Sequence, residues 1–218
     1  GKMNFVAGGS AASVANQGTI RTASGGSVYL VAPDISNSGL ITSSQGQVVL
    51  AAGHSVQLVD TATPELQVLV TAGGSAVNVG SIVAHSGDIG IYGALITQGG
   101  KLDADTAVKG ANGSIILKAS QDVVLDSTSV ISAKGVAGDG GTITLLGDMA
   151  TGTVNVSGTL DASAPNGGNG GFLDIFRRIE IRLAGAKADD VAAGGFQLTR
   201  LVGDPDGGGR LDAGERVG

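Results

Sequence analysis

One short phrase recurs along this 218-residue chain: a glycine followed by apolar residues at alternating positions. It reads GSVYLV from Gly26, GQVVLA from Gly46, GDIGIY from Gly87, GSIILK from Gly113, GTITLL from Gly141, GFLDIF from Gly171 and GFQLTR from Gly195. Successive copies start 20 to 30 residues apart, except for a gap of 41 between Gly46 and Gly87 that reads as two periods. Between them lies a second phrase, NQGTI at Asn16, NSGLI at Asn37, NVGSI at Asn78, TSVIS at Thr128 and VSGTL at Val156. Each period therefore holds at least two short strands, and a period of this length made of strands and turns is the mark of a repeat architecture.

Within each phrase the residues alternate, as in Ser27-Val28-Tyr29-Leu30 and Thr142-Ile143-Thr144-Leu145, which is the period of a half-buried strand. Asn and Gly at the corners tolerate positive φ, which a sharp change of direction asks for. Pro33, Pro64, Pro165 and Pro205 all fall in turns, and no amphipathic helical pattern competes. An antiparallel sandwich would also show many short strands, but its hairpin dipeptides should recur in every period, and Asn-Gly occurs only at Asn112-Gly113 and Asn166-Gly167. The expected fold is all-β, a parallel β-helix (solenoid) of roughly eight to ten coils. Its open ends call for caps or further coils, and the chain reads as part of something longer.

Composition agrees with such an interior. There are 39 glycines, no cysteine, no tryptophan and 3% aromatic residues, with 42% hydrophobic residues supplied mostly by Ala, Val, Leu and Ile. A mean hydropathy of +0.27 with only 15% charged residues argues against disorder, which goes with low hydrophobicity and high net charge. A net charge of −6 without a basic stripe excludes a nucleic-acid partner. The lack of cysteine excludes disulfides and thiolate metal sites, and no apolar run is long enough to insert in a membrane as a helix. The opening GKMNFVAGG has no apolar core of a signal peptide, so any export signal is expected outside these residues.

Residues 14–60 and 152–175 resemble the filamentous haemagglutinin-like exoproteins of bacterial two-partner secretion, and the resemblance covers most of residues 5–183. It implies a right-handed parallel β-helix, secretion to the medium or the outer surface of a Gram-negative bacterium, and adhesion, aggregation or biofilm formation as the task. It also implies an outer-membrane secretion partner engaged through an amino-terminal domain whose NPNG-type motif is missing here. The phrase GGFQLTRLVGDPD, residues 194–206, is a loose echo of a closing phrase of that family. The expected organisation is thus a β-helix over 1–185 and a terminal coil or cap over 186–218.

The tail DPDGGGRLDAGE has the oxygen spacing of a calcium loop. Asp204, Asp206, Asp212 and Glu215 fall on positions 1, 3, 9 and 12 of a twelve-residue loop, Gly209 on 6 and Leu211 on 8, while Gly208 leaves position 5 without a side-chain ligand. Two readings stand: a Ca2+ loop that orders the tail, or an acidic linker. An enzyme needs carboxylates brought together. The acids Asp34, Asp60, Glu65, Asp88, Asp103, Asp105, Asp122, Asp126, Asp139, Asp148 and Asp161 are spread over turns, and Asp103 with Asp105 reads as an exposed loop pair. His54 and His85 read as surface turn residues, and Arg178, Glu180 and Arg182 as the outer face of a strand, with Arg177 beside them. No catalytic or cofactor-binding residue is assigned. The expectation is a structural or adhesive segment binding surface glycans or proteins through loops such as 60–66 and 103–112. The alternatives are a carbohydrate-active β-helix enzyme and a stalk that binds nothing.

Overall fold

The computed structural model describes residues 2–8, 12–59, 67–106, 112–136, 138–148, 151–176 and 179–181. All regular elements among them are strands. After β1 (Lys2–Val6) the chain repeats a unit of two short strands and one long one. The first unit is β2 (Ser13–Asn16), β3 (Thr19–Arg21) and β4 (Ser27–Ala32); the second is β5 (Asp34–Asn37), β6 (Leu40–Thr42) and β7 (Gln47–Val59). After β8 (Gln67–Gly73) come β9 (Ser75–Asn78), β10 (Ser81–Val83) and β11 (Asp88–Gly93), then β12 (Leu95–Gln98), β13 (Lys101–Asp103) and β14 (Ser114–Ala119). The series ends with β15 (Val123–Leu125), β16 (Val130–Ser132), β17 (Thr142–Leu146), β18 (Val154–Val156), β19 (Thr159–Asp161), β20 (Phe172–Phe176) and β21 (Ile179–Ile181).

Each strand of these units pairs in parallel with its counterpart one coil away, which makes the molecule a parallel β-helix. One sheet runs β2-β5-β9-β12-β15-β18-β21, a second β3-β6-β10-β13-β16-β19, and the third follows the long strands β4-β7-β11-β14-β17-β20. The longest stack among the described residues thus has seven rungs; the roughly eight to ten coils expected from the sequence also counted residues beyond Ile181.

The registers turn the alternating phrases into ladders along the axis. Ile20, Ile41, Ile82, Leu102, Ile131 and Leu160 stack in the second sheet, and Leu30, Leu50, Ile91, Leu117, Leu145 and Ile175 in the third. The interior members of both ladders are buried. Burying each such side chain stabilises the fold by about 1.5–3 kcal/mol, so small and branched residues build a core without aromatics.

The glycines of the repeat serve stacking rather than turning. Among the described residues only Gly25, Gln45, Ser86 and Gly167 have positive φ, so the corner asparagines and most repeat glycines do not use the left-handed conformation expected for them. Instead, a Cβ on Gly39 would collide with the carbonyl oxygen of Gly18, and one on Gly46 with that of Gly26. The coils approach closely there, and backbone cannot move aside.

The gap of 41 residues is also one coil, not two. β7 pairs with both β4 and β11 over Gln47–Ala51, then continues to Val59, where β8 returns antiparallel to it. β1 pairs antiparallel with the same extension on the other side, Lys2 opposite Val59 and Val6 opposite Ser55. Val56, Leu58 and Val68 of this flap pack with Val49, Ala51 and Tyr92, and so cover the outer face of the long sheet. A second apolar face on these long strands is what the insertion buries.

Candidate functional site

One corner differs from coil to coil, and it lies between the second sheet and the long strands. In the second and third coils it is a tight turn, Ser43 to Gly46 and Ala84 to Gly87, closed by a bond from the glycine N–H to the first residue's carbonyl, at 3.2 and 2.8 Å. Gln45 and Ser86 hold the same place in these two turns, with φ of 55° and 54°. The fifth and sixth coils keep that closing bond while inserting residues: Gly141 N–H donates to Ala133 at 2.7 Å and Gly171 N–H to Ala162 at 2.8 Å. In the fourth coil Gly113 N–H donates instead to Thr106 Oγ1 at 3.2 Å. In the fifth and sixth coils longer loops are thus extruded from an unchanged base. They stack on one another, with Asn166 Nδ2 donating to the Val136 carbonyl, Asn169 N–H to Asp139 Oδ1 and Gly140 N–H to the Asn169 carbonyl.

Charged side chains line the foot of this corner. Lys101 Nζ lies 2.7 Å from Asp103 Oδ2, and His85 Nε2 lies 3.4 Å from Asp103 Oδ1. Lys134 Nζ reaches Asp105 at 3.8 Å and Asp161 at 3.6 Å, and Asp105 also accepts bonds from Ser132 Oγ and the Lys134 N–H. Burial alone would raise the Asp103 carboxyl. The hydrogen bond from Lys101, the N–H of Asp105 and the charges of Lys101 and His85 outweigh it and hold that carboxyl below the ordinary aspartate value. Asp103 is therefore not the exposed loop residue expected from sequence: it is 6% exposed and ties the third, fourth and fifth coils together with its neighbours. His85 is a turn residue as expected, but with a carboxylate partner.

Asp34, Asp122, Asp126 and Asp148 accept from backbone. Asp34 Oδ1 accepts from Ser75 N–H, and Asp122 Oδ1 from the N–H and hydroxyl of Thr153, each one coil further on. Asp126 accepts from the Thr128 hydroxyl and N–H, which, with the Ser129 N–H, lower its carboxyl against a small desolvation effect. Asp148 holds Thr151 in the same manner. These carboxylates act as stacking and turn acceptors, and among the described residues no group of three or more His, Asp or Glu could hold a metal ion.

Asp204, Asp206, Asp212 and Glu215 lie outside the described residues, as do Asp60, Glu65, Arg177, Arg178, Arg182 and loop 60–66. Of the 103–112 loop, residues 107–111 lie outside them too. The backbone register places Ile179 and Ile181 in the columns of buried Val154 and Val156, and Glu180 in that of exposed Asn155, as the alternation of FRRIEIRLAG requires. The stacked loops at 133–141 and 162–171 were missed by sequence reasoning; the lengthening spacing after Gly87 was the signal for them.

No family model and no curated protein matches this chain. Among solved structures, the HMW1 secretion domain from Haemophilus influenzae is similar with a TM-score of 0.59 at 21% identity, over 83% of this chain and 68% of that one. The likeness is one of fold. No helix among the described residues is long and apolar enough to cross a membrane.

Proposed function

We propose that this chain is a rigid β-helical segment of a secreted or surface-displayed Gram-negative exoprotein, of the filamentous haemagglutinin-like kind, whose corner loops make adhesive contacts. The observation that carries the reading is the corner where tight turns give way to longer loops in the later coils, two of which leave the same hydrogen-bonded base as the turns. A stiff scaffold that carries its longer loops at one corner separates stiffness from recognition. The fold shared with a secretion domain supports an exported setting. That the chain is not an enzyme is supported by the engagement of Asp34, Asp122, Asp126 and Asp148 with backbone groups, which leaves them apart from one another. The test is binding of the purified chain to a glycan panel and to whole cells at physiological salt, with calcium and then with chelator. Saturable binding is expected; loss on chelation would tie it to Asp204, Asp206, Asp212 and Glu215, and absence under both conditions would make the segment a stalk. Release of reducing sugars or unsaturated products from surface polysaccharide would overturn the non-enzymatic reading.

A second reading is favoured by the description of the similar structure as a secretion domain. In it the coil stack itself engages an outer-membrane partner, although the NPNG-type motif is missing here. Export of a reporter fused to these residues, only when an outer-membrane transporter is co-expressed, would establish it.

A further inference from the structure

The amino-terminal end of the stack has three features in register. The strands β2, β3 and β4 are each paired on one side, to β5, β6 and β7, and among the described residues no strand pairs with their other edge. The inward residues Val14, Ile20 and Leu30 are only half-buried, whereas Ile35, Ile41 and Leu50 beneath them are 2%, 0% and 0% exposed. The end rung therefore offers unpaired backbone and apolar side chains like those that every interior rung buries.

The third feature is a buried amide ladder with a direction. Asn16 Nδ2 donates to Asn37 Oδ1 at 2.7 Å, Asn37 Nδ2 to Asn78 Oδ1 at 2.7 Å, and Asn78 Nδ2 to Gln98 Oε1 at 2.8 Å. The sense is fixed at both ends by groups that cannot be reversed. Gln98 Nε2 donates to the Gly100 carbonyl, which only accepts, and Gly18 N–H, which only donates, points at Asn16 Oδ1 from 3.2 Å. At the far end the longer glutamine arm bends back to its own chain, and the column continues with Leu125 and Val156. The ladder is closed there. At Asn16 it is open among the described residues: each later amide oxygen receives an N–H from the rung before, while the Asn16 oxygen receives one from its own turn, at Gly18.

We propose that this end is a strand-acceptor surface that takes up, in parallel, an extended segment of a partner polypeptide carrying asparagine or glutamine in the Asn16 column. The apolar columns and edge hydrogen bonds provide attraction, as in other cases of β-strand addition. The amide column sets register and selectivity, because an apolar residue there would cover the Asn16 oxygen without supplying a donor. A second copy stacked head to tail through β21, the last strand among the described residues, fits poorly, since its register puts Ile181 in this column. The inference does not depend on the adhesive reading.

The test uses the whole chain and a synthetic peptide of residues 34–42, DISNSGLIT, together with its Asn37→Leu form. The first peptide is expected to bind and to slow amide exchange in β2 and β3, leaving β18 and β19 unchanged. The leucine peptide is expected to bind at least tenfold more weakly. The chain with Asn16→Leu, altered only in the end rung, should lose or invert that preference. No binding at millimolar peptide, equal binding of both peptides, protection at the β19–β20 end, or occupancy of the edge by a second copy, seen as mass rising with concentration, would each overturn the proposal.

Discussion

Replacing Asn78 with leucine tests whether the amide ladder is held together as a unit. Asn78 is 1% exposed, accepts from Asn37 Nδ2 at 2.7 Å and donates to Gln98 Oε1 at 2.8 Å. Leucine fills a similar volume but strands one donor above and one acceptor below. Each unpaired buried group costs about 1–3 kcal/mol, partly offset by the gain from burying an apolar side chain, so the net loss should be about 2–4 kcal/mol. Changing Asn16, Asn37, Asn78 and Gln98 together strands no partner within the column, and Leu125 and Val156 show that apolar residues stack in the same column. The quadruple variant should therefore lose no more than the single one, far less than the sum of four single losses. Urea unfolding followed by far-ultraviolet circular dichroism, with amide exchange to locate the unfolding unit, measures both. A loss below about 0.5 kcal/mol for Asn78→Leu, within the range of a neutral surface change, would refute the reasoning, as would additive losses in the quadruple variant.

The glycine column offers a paired comparison. Gly39→Ala should destabilise by about 1–3 kcal/mol because its Cβ meets the Gly18 carbonyl, while Gly18→Ala, whose Cβ meets nothing, should stay within about 0.5 kcal/mol in the same unfolding assay. In the flap, Leu58→Ala should cost about 2–5 kcal/mol and Leu69→Ala almost nothing, because they are 1% and 58% exposed. Asp103→Asn should cost about 1–2 kcal/mol near neutral pH, allowing for the exposure of Lys101. Its carboxyl is lowered in the folded chain, so its contribution is complete above the unfolded value of about 3.9 and is lost as pH falls through the folded value. The difference between parent and variant should accordingly shrink below about pH 4 in unfolding curves, and a difference that grows with acid would contradict the assignment.

The parallel β-helix was legible because inward residues such as Ile41, Ile82 and Leu102 repeat at the period of the coil while their neighbours alternate in polarity. What the glycines and asparagines do was not legible. A Gly or Asn beside a strand reads as a turn residue whether it bends the chain or lies under another backbone, and only the stacking distance separates the two. In the tight corners only Gly25 of the first coil is of the type that favours positive φ, while Gln45 and Ser86, in the same place one and two coils on, are not. Nor could the gap of 41 disclose the flap. The extension of β7 has the same alternation as a coil strand, and its antiparallel partner is a matter of pairing, not of composition. The charged corner failed for a related reason: Asp105, Lys134 and Asp161 are distant in sequence and become neighbours only once the coil length is fixed.

The extruded corner loops supply their own control for the adhesive reading. In the third coil, Ala84 and Gly87 are bridged by His85-Ser86; in the last full coil, Ala162 and Gly171 are bridged by residues 163–170, with the same closing bond. Replacing residues 163–170 with His-Ser transplants a turn that this scaffold already makes. Shortening a loop alters closure entropy by only about 0.6 kcal/mol per halving. The bonds lost, from Asn166 Nδ2 to Val136, from Asn169 N–H to Asp139, from Gly140 N–H to Asn169 and from Gly167 N–H to Ala164, all lie within the loop stack and leave β20 paired with β17. The variant should keep its circular dichroism and unfold within about 1–2 kcal/mol of the parent, since these bonds belong to the loops and both side-chain ones are exposed. Its binding to cells or glycans should drop sharply if recognition sits at this corner. Undiminished binding would move recognition elsewhere on the chain, whereas a collapse of stability would show that the loop stack is part of the corner's base and not an excursion from it.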